Sequence, residues 1–242
     1  MALIEVRDLT VDLPIYSTQA RSLRRSVMKL STGGRLMRDE GRVVIRAISG
    51  ASFTLERGDR LGLVGHNGSG KSTLLRTLAG VYRPTSGTVR VDGTISAALD
   101  PMMGLEPEAS GLTNIIALAR YRGASRREAM AALPAIADLS ELGPFLDLPV
   151  KSYSAGMVAR LAFAVATSFE PDILLMDEWI AAADHAFVQK ARSHLQSYFA
   201  QAKAVVLATH DFGVIQQLCN KVLVLENGVA QALGSPAELL AA

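Results

Sequence analysis

A chain of 242 residues with a formal net charge of +2 has room for one large domain with a subdomain, and its near-balanced charge gives no footprint for nucleic acid. Its residues are 49% apolar and 20% charged, the composition of a globular protein with a real core, and its one cysteine, Cys219, rules out a disulfide framework within the chain and fits a reducing compartment. The opening "MALIEVRDLTVD" lacks the basic start and apolar run of a signal peptide, and no stretch reaches about 18 uninterrupted apolar residues, so neither a leader nor a membrane span is expected.

In chain order, the alternation in "LIEVRDLTVDL" predicts a strand over Leu3–Leu9. Next, Ala20, Leu23, Val27 and Leu30 recur at helical spacing, with Arg24, Arg25 and Lys29 between them, until Gly33-Gly34 ends the pattern. Two readings stand for this basic segment, 17–46: a surface helix that packs its stripe on the domain, or a contact with a membrane surface or membrane partner. β-Branched runs predict strands at Val43–Ile48, Ser52–Leu55 and Arg60–Val64, and a helix follows at Lys71–Ala79. Pro84–Gly87 reads as a turn, and "TVRVDGTISAALD" as a hairpin about Asp92-Gly93.

The β-branched runs then stop. Helices are predicted at Gly111–Tyr121 and Arg126–Ala137, the second opened by a Ser125…Glu128 capping box, which predicts an inserted helical subdomain at about 99–158. Alternation returns with a helix at Ala155–Ser168, a strand at Ile173–Met176 and a helix over about Asp184–Ala200. A strand at Ala204–Thr209, a helix at Phe212–Leu218 and a strand at Val222–Leu225 complete it. Cys219, just before that last strand, is expected as a buried core thiol. Such alternation implies an α/β fold with a mainly parallel sheet, its core at about 1–98 and 159–242.

"GHNGSGKS" fits G-x-x-x-x-G-K-[ST] and lies between a predicted strand and a predicted helix. Glycines at Gly65, Gly68 and Gly70 let the backbone curl round phosphate oxygens, with successive N–H groups of Asn67, Ser69 and their neighbours turned inward. Lys71 can reach the β- and γ-phosphates, the Ser72 hydroxyl can bind Mg²⁺, and Thr73 continues the loop into the helix. His66 occupies a variable slot of the same loop and is expected partly exposed, without chemistry of its own. In "DILLMDE" a buried strand ends in two carboxylates. Asp177 can hold Mg²⁺, directly or through water, and Glu178, pointing elsewhere, can polarise an attacking water. His210, ending the run "VVLATHD", can hydrogen-bond a γ-phosphate. "YSAGM", at 153–157, is a second helix start able to meet an anion, through Ser154 and the backbone at Gly156.

The order of these pieces resembles the ATP-binding cassette (ABC) family over nearly the whole chain. "GHNGSGKST" is similar to its Walker A loop, "ILLMDE" to its Walker B strand with catalytic glutamate, "AAAD" ending in Asp184 to its D-loop, and His210 to its switch histidine. "YSAGM" sits where that family carries its signature. The resemblance implies a P-loop NTPase (RecA-like) core with an N-terminal antiparallel β subdomain and an inserted α-helical subdomain. It implies ATP and Mg²⁺ as ligands, and a second copy of the chain closing head to tail so that Ser154 and Gly156 cap the partner's ATP. "DLPIY", "GLTNI", "YSAGM" and "DEWIAAADHAFVQKA" are more narrowly similar to ATPases of polysaccharide export transporters, those for O-antigen, capsule and teichoic acid. By that resemblance Tyr16 would stack on adenine. Asp100 stands in place of the Q-loop glutamine, and whether it holds Mg²⁺ or its water is left open, since a carboxylate cannot donate a hydrogen bond.

The resemblance further implies a multi-span permease as partner and a peripheral position on the cytoplasmic face of the inner membrane. The chain runs only a few residues past "GSPAELL", so no added glycan-binding domain is expected and glycan choice would fall to the permease. Other readings are another ABC transporter's ATPase, a non-transport ABC protein acting on nucleic acid, and a small-molecule kinase. The signature-like turn and the charge balance weigh against the last two.

Overall fold

The computed structural model describes residues 1–14, 36–39, 42–99, 104–121, 124–169, 171–177, 187, 194 and 197–240. In chain order its elements are β1 (Ala2–Pro14), β2 (Leu36–Asp39), β3 (Arg42–Glu56), β4 (Arg60–Val64), α1 (Lys71–Leu78), β5 (Ser86–Val91) and β6 (Ile95–Ala98). They continue as α2 (Gly111–Tyr121), α3 (Arg126–Ser140), α4 (Ala155–Ala166), β7 (Ile173–Met176) and β8 (Ala204–Ala208). The last are α5 (Phe212–Leu218), β9 (Lys221–Glu226), β10 (Val229–Gly234) and α6 (Pro236–Leu239). The expected helix around Ala20–Leu30 lies outside the described residues. So does most of the one expected over Asp184–Ala200, where Phe187, His194 and residues 197–200 are described and helical.

Contacts divide the chain into one unit of Met1–Asp92 with Val206–Ala242 and a second of Gly93–Val205. The region expected as the helical insert, about 99–158, falls inside the second unit, which also carries β6 and β7.

In the first unit β1 lies antiparallel between β3 and β5, with Val6 opposite both Phe53 and Val89. β2 forms a hairpin with β3. β10 touches β3 in parallel at Val229↔Ser49 and runs antiparallel to β9, which is parallel to β4 at Leu63↔Leu223. Ile4, Val6, Leu9 and Val11 of β1, with an irregularity between Val6 and Leu9, meet Leu55, Phe53, Ala51 and Ile48 of β3 in the core, all at 5% exposure or less. β3 is one strand of 15 residues rather than the two expected. Both halves pair with the same β1, Ile48 with Val11 and Ala51 with Leu9. Gly50 at φ +64 takes up the bend between them without ending the ladder.

The expected hairpin about Asp92-Gly93 is a misreading. β5 pairs with β1, up to Val91↔Ile4, whereas β6 runs parallel to β7 from Ile95↔Ile173. Period-2 alternation marks two strands but carries no information on their partners. The residues between them are fixed separately: Asp92 N–H donates to Leu3 O at 2.8 Å, and Thr94 N–H to Asp172 Oδ2 at 2.8 Å.

The second unit is built on the buried strand β7 and the apolar face of α4. Phe163 of α4 meets Phe187 edge-on at 5.5 Å, and the Arg160 guanidinium lies over the Phe187 ring at 5.1 Å. Tyr198, 3% exposed, donates its hydroxyl proton between Ala166 O and Phe169 O, both at 2.8 Å. α3 opens with the expected capping box, Glu128 N–H to Ser125 Oγ and Ser125 N–H to the Glu128 carboxylate. It runs on to Ser140, where Glu141 at φ +56 ends it. Among the described residues no helix is long and apolar enough to cross a membrane.

Candidate nucleotide site

In the first unit, four consecutive buried residues of β4, Leu61 to Val64, deliver the chain into the glycine loop. Gly65 has φ +155, and a Cβ there would lie 2.1 Å from Leu225 O and 2.6 Å from Ser69 Oγ, so no other residue fits. Gly70, at φ +114, would place a Cβ 2.8 Å from Ala47 O. Ser69 N–H closes a turn on His66 O at 3.0 Å, and Leu74 N–H to Gly70 O at 2.9 Å begins α1.

Lys71 is the first residue of α1. Its ammonium, on a residue only 8% exposed, donates to Gly65 O at 2.6 Å and His66 O at 3.2 Å. A cation is thus held across the mouth of its own loop, at a helix start whose N-cap residue, Gly70, offers no side-chain acceptor. That combination favours an anion: first-turn N–H groups, the positive end of the helix dipole and a buried ammonium. Ser72 and Thr73 follow, both half-buried. His66, Asn67 and Gly68 are exposed, and the His66 ring turns back on Asn67 O at 2.7 Å, a local contact that fits a side chain without chemistry of its own.

His210 is in the same unit, exposed and two residues beyond the last residue of β8. The next residue fixes the turn around it: Asp211 caps α5, its Oδ1 accepting from Gly213 N–H at 2.9 Å and Val214 N–H at 3.2 Å.

In the second unit Asp177 follows β7 directly and is half-buried. Asp172 holds the other end of β7. Its Oδ1 receives the Lys203 ammonium at 2.5 Å and its Oδ2 the Thr94 N–H, which keeps its carboxyl at about 2, below the ordinary 3.8. Ser154 is the N-cap of α4 with extended backbone, and its Oγ accepts from Met157 N–H at 3.2 Å. Ser154 is exposed, and Gly156 is half-buried in the first turn.

The turn's entry is zipped to residues 107–110: Lys151 N–H donates to Pro107 O at 2.9 Å and Val150 N–H to Ala109 O at 3.0 Å. Tyr153 donates its hydroxyl proton to Phe145 O at 2.6 Å, and a Cβ on Gly111 would come within 2.4 Å of that hydroxyl oxygen. Asn114, 1% exposed, accepts from Glu106 N–H at 2.7 Å and donates to Glu106 O and Ser110 O, both at 3.0 Å. Gly111 and Asn114 were not singled out from the sequence. "GLTNI" carried them, and buried amide networks leave no periodic trace.

Tyr16, Asp100, Glu178 and Asp184 lie outside the described residues. Of the remaining expected residues, the loop 65–73 and His210 fall in the first unit, and Ser154, Gly156 and Asp177 in the second.

A phosphate loop sealed by obligatory glycines between a buried strand and an uncapped helix defines the class: a P-loop nucleotide-binding domain. Residues 48–181 match the family model described as ABC transporter, and the chain belongs to the ABC transporter family, as a nucleotide-binding ATPase of that family. It is 43% identical over 224 residues to the O-antigen export system ATP-binding protein RfbE of Yersinia enterocolitica, a match covering 92% of this chain and 94% of the other. It is 39% identical over 220 residues to the O-antigen export system ATP-binding protein RfbB of Myxococcus xanthus, covering 91% of this chain but 50% of that longer one. These relatives lie in the polysaccharide-export branch. The fold is also that of a solved dimeric ATP-binding cassette in a post-hydrolysis state bound to ADP and Pi, with a TM-score of 0.73 at 21% identity, covering 96% of this chain and 98% of that one.

Proposed function

We propose that this chain is the ATP-hydrolysing subunit of an exporter that moves a lipid-linked polysaccharide, of O-antigen or capsule type, across the inner membrane. The observation that carries the reading is the 43% identity running through 94% of an O-antigen export ATP-binding protein. In this reading the chain works as a pair of copies beside a multi-span permease, peripheral to the cytoplasmic face of the membrane.

Each copy holds the phosphates of ATP on the loop 65–73, with the Lys71 ammonium turning from its own loop carbonyls to the β- and γ-phosphates. Tyr16 stacks on adenine. Ser154 and Gly156 of one copy meet the γ-phosphate held by the other, and Asp184 lies at the same junction. Glu178 accepts a proton from the attacking water, and His210 donates to the γ-phosphate.

Ser72 and Asp177 each offer the oxygen donors that Mg²⁺ takes, and Asp100 offers another. Bound by these oxygens, Mg²⁺ would supply charge neutralisation at the transferring phosphate. Closure on ATP is favoured because only the closed pair completes both sites, and loss of the γ-phosphate removes that advantage.

The test is purification from native membranes through a tagged chain, followed by an ATPase assay. The expected result is a multi-span membrane protein at about one-to-one stoichiometry, with ATPase activity that responds to a lipid-linked glycan. A chain that captures no membrane partner, and hydrolyses ATP fastest with DNA or ribosomes, would sink the exporter reading.

A further inference from the structure

The β9–β10 hairpin was not expected in full, although Asn227-Gly228 is the usual sequence of its tight turn. Asn227 at φ +51 and Gly228 at φ +79 make that turn. Its position is more informative than its shape. Gly228 N–H donates to Ser69 O at 2.8 Å, and Ser49 N–H donates to Gly228 O at 2.8 Å. Gly228 therefore stands between β3 and the phosphate loop with both its backbone groups committed. The same hairpin supplies the Leu225 O that excludes any side chain at Gly65.

A peptide group is planar and trans, so its C=O and N–H point in opposite directions. Fixing Ser69 O on Gly228 fixes the Gly70 N–H on the side away from the hairpin. Gly70 is the N-cap of α1, and the peptide that enters it is one a phosphate-binding turn must orient. A loop of glycines with three positive φ values has many competing conformations, and a single external hydrogen bond can select one of them.

We propose that the Asn227-Gly228 turn is a clamp that holds the Ser69–Gly70 peptide in its phosphate-receiving orientation, and that Gly228 is a positioning residue for nucleotide binding. The clamp rests on the nucleotide role of the loop and lies wholly within the first unit.

The test compares turn glycines in the full-length chain, titrated with a fluorescent ATP analogue and melted in parallel. Gly228→Ala keeps the N–H but strains a left-handed position, and is expected to weaken ATP affinity about tenfold. Gly228→Asn, whose side chain tolerates positive φ, is expected to stay within about twofold of the unaltered chain. Gly58→Ala is the control: Gly58 has φ +93 and nothing within 4 Å of an added Cβ, so it loses stability through the same backbone strain without touching the loop. It is expected to melt lower and bind ATP normally. If Gly228→Ala and Gly58→Ala melt alike and bind ATP alike, the clamp is wrong and Gly228 is only a turn residue. If the unaltered chain fails to bind ATP, the nucleotide role of the loop falls and takes the clamp with it. Amide exchange at Gly228 gives a readout free of substitution: ATP should slow it at least about tenfold, and an unchanged rate would also overturn the clamp.

Discussion

Ser154→Asp separates two roles that one hydroxyl could play. Ser154 Oγ accepts from Met157 N–H at 3.2 Å and so caps α4, yet the residue is exposed and could equally meet a phosphate on another molecule. Aspartate caps as well as serine, and its charge at the positive end of the dipole adds about 0.5 kcal/mol, so the variant should melt at the same temperature or higher. If the turn receives a γ-phosphate, the carboxylate meets like charge. At about 4 Å and an effective dielectric constant of about 20 that repulsion is about 4 kcal/mol, and even a third of it slows closure and hydrolysis about tenfold. Binding of ATP to a single copy should be unchanged, because the loop 65–73 is a different stretch of chain. Ser154→Ala should behave in the opposite sense on stability, losing about 1 kcal/mol with the cap. The assays are steady-state ATPase at saturating ATP, equilibrium binding below the dimerisation range, and thermal melting. An aspartate variant that is as stable as the unaltered chain and hydrolyses ATP within about twofold of it would refute the phosphate role, and leave Ser154 a cap alone.

Two further outcomes follow from charge and burial. Asp172 is held near 2 by the Lys203 ammonium first and the Thr94 N–H second, against 3.8 for a free carboxyl. Its folded value is depressed, so its stabilisation is fully present above 3.8 and is lost as pH falls through about 2. The shift corresponds to about 2 kcal/mol as an upper figure, since the side chain retains 25% exposure. Urea unfolding of Asp172→Asn should show a loss of about 1 kcal/mol at neutral pH and a flatter decline between about pH 4 and 2, whereas an acid profile matching the unaltered chain would count against it. Cys219, whose thiol burial pushes up to about 12, should resist a thiol-specific disulfide reagent at pH 8 until the fold opens. Its labelling rate should track unfolding across a urea series, and fast labelling of the native chain would contradict the packing of Sγ against the backbone at Gly62.

What could be read from the sequence was what is local. The strand Arg60–Val64 and the helix beginning at Lys71 emerge where expected, because an apolar run, a glycine motif and a 3.6-residue period sit side by side. The capping box at Ser125 and the N-cap at Ser154 also formed, each needing only residues three apart. What failed was the choice of partner. Asp92-Gly93 looks like a hairpin turn, yet the strands on either side pair with β1 and β7, each distant in sequence. Asn114 illustrates another limit: an asparagine in a helix gives no hint that its amide will bind residues 106 and 110, and only the folded chain shows why a polar side chain is 1% exposed. Gly228 had a readable turn signal, but its attachment to Ser69 joins residues 159 positions apart in a way no local pattern encodes.

The two helix starts that could meet phosphate are not equivalent, and their difference bears on why one chain carries both. α1 begins at a glycine, has no capping side chain, and encloses a buried ammonium that donates to two loop carbonyls. A phosphate there gains a buried cation and the positive end of a helix dipole at once, so the site can hold a nucleotide by itself. α4 begins at a serine that already answers the Met157 N–H, stands exposed, and has no lysine or arginine in its first turn. Screened by water and self-capped, it offers a free anion little more than a helix dipole, about 0.3–1 kcal/mol. Such a turn can contribute only when the phosphate is delivered and held by other groups, because the entropy of capture has then already been met. A strong site and a weak one on the same chain are therefore what a composite site between two copies requires. In the head-to-tail pair proposed above, the weak half would not sequester nucleotide before the copies meet, and it would reward closure only when the strong half of the partner is loaded.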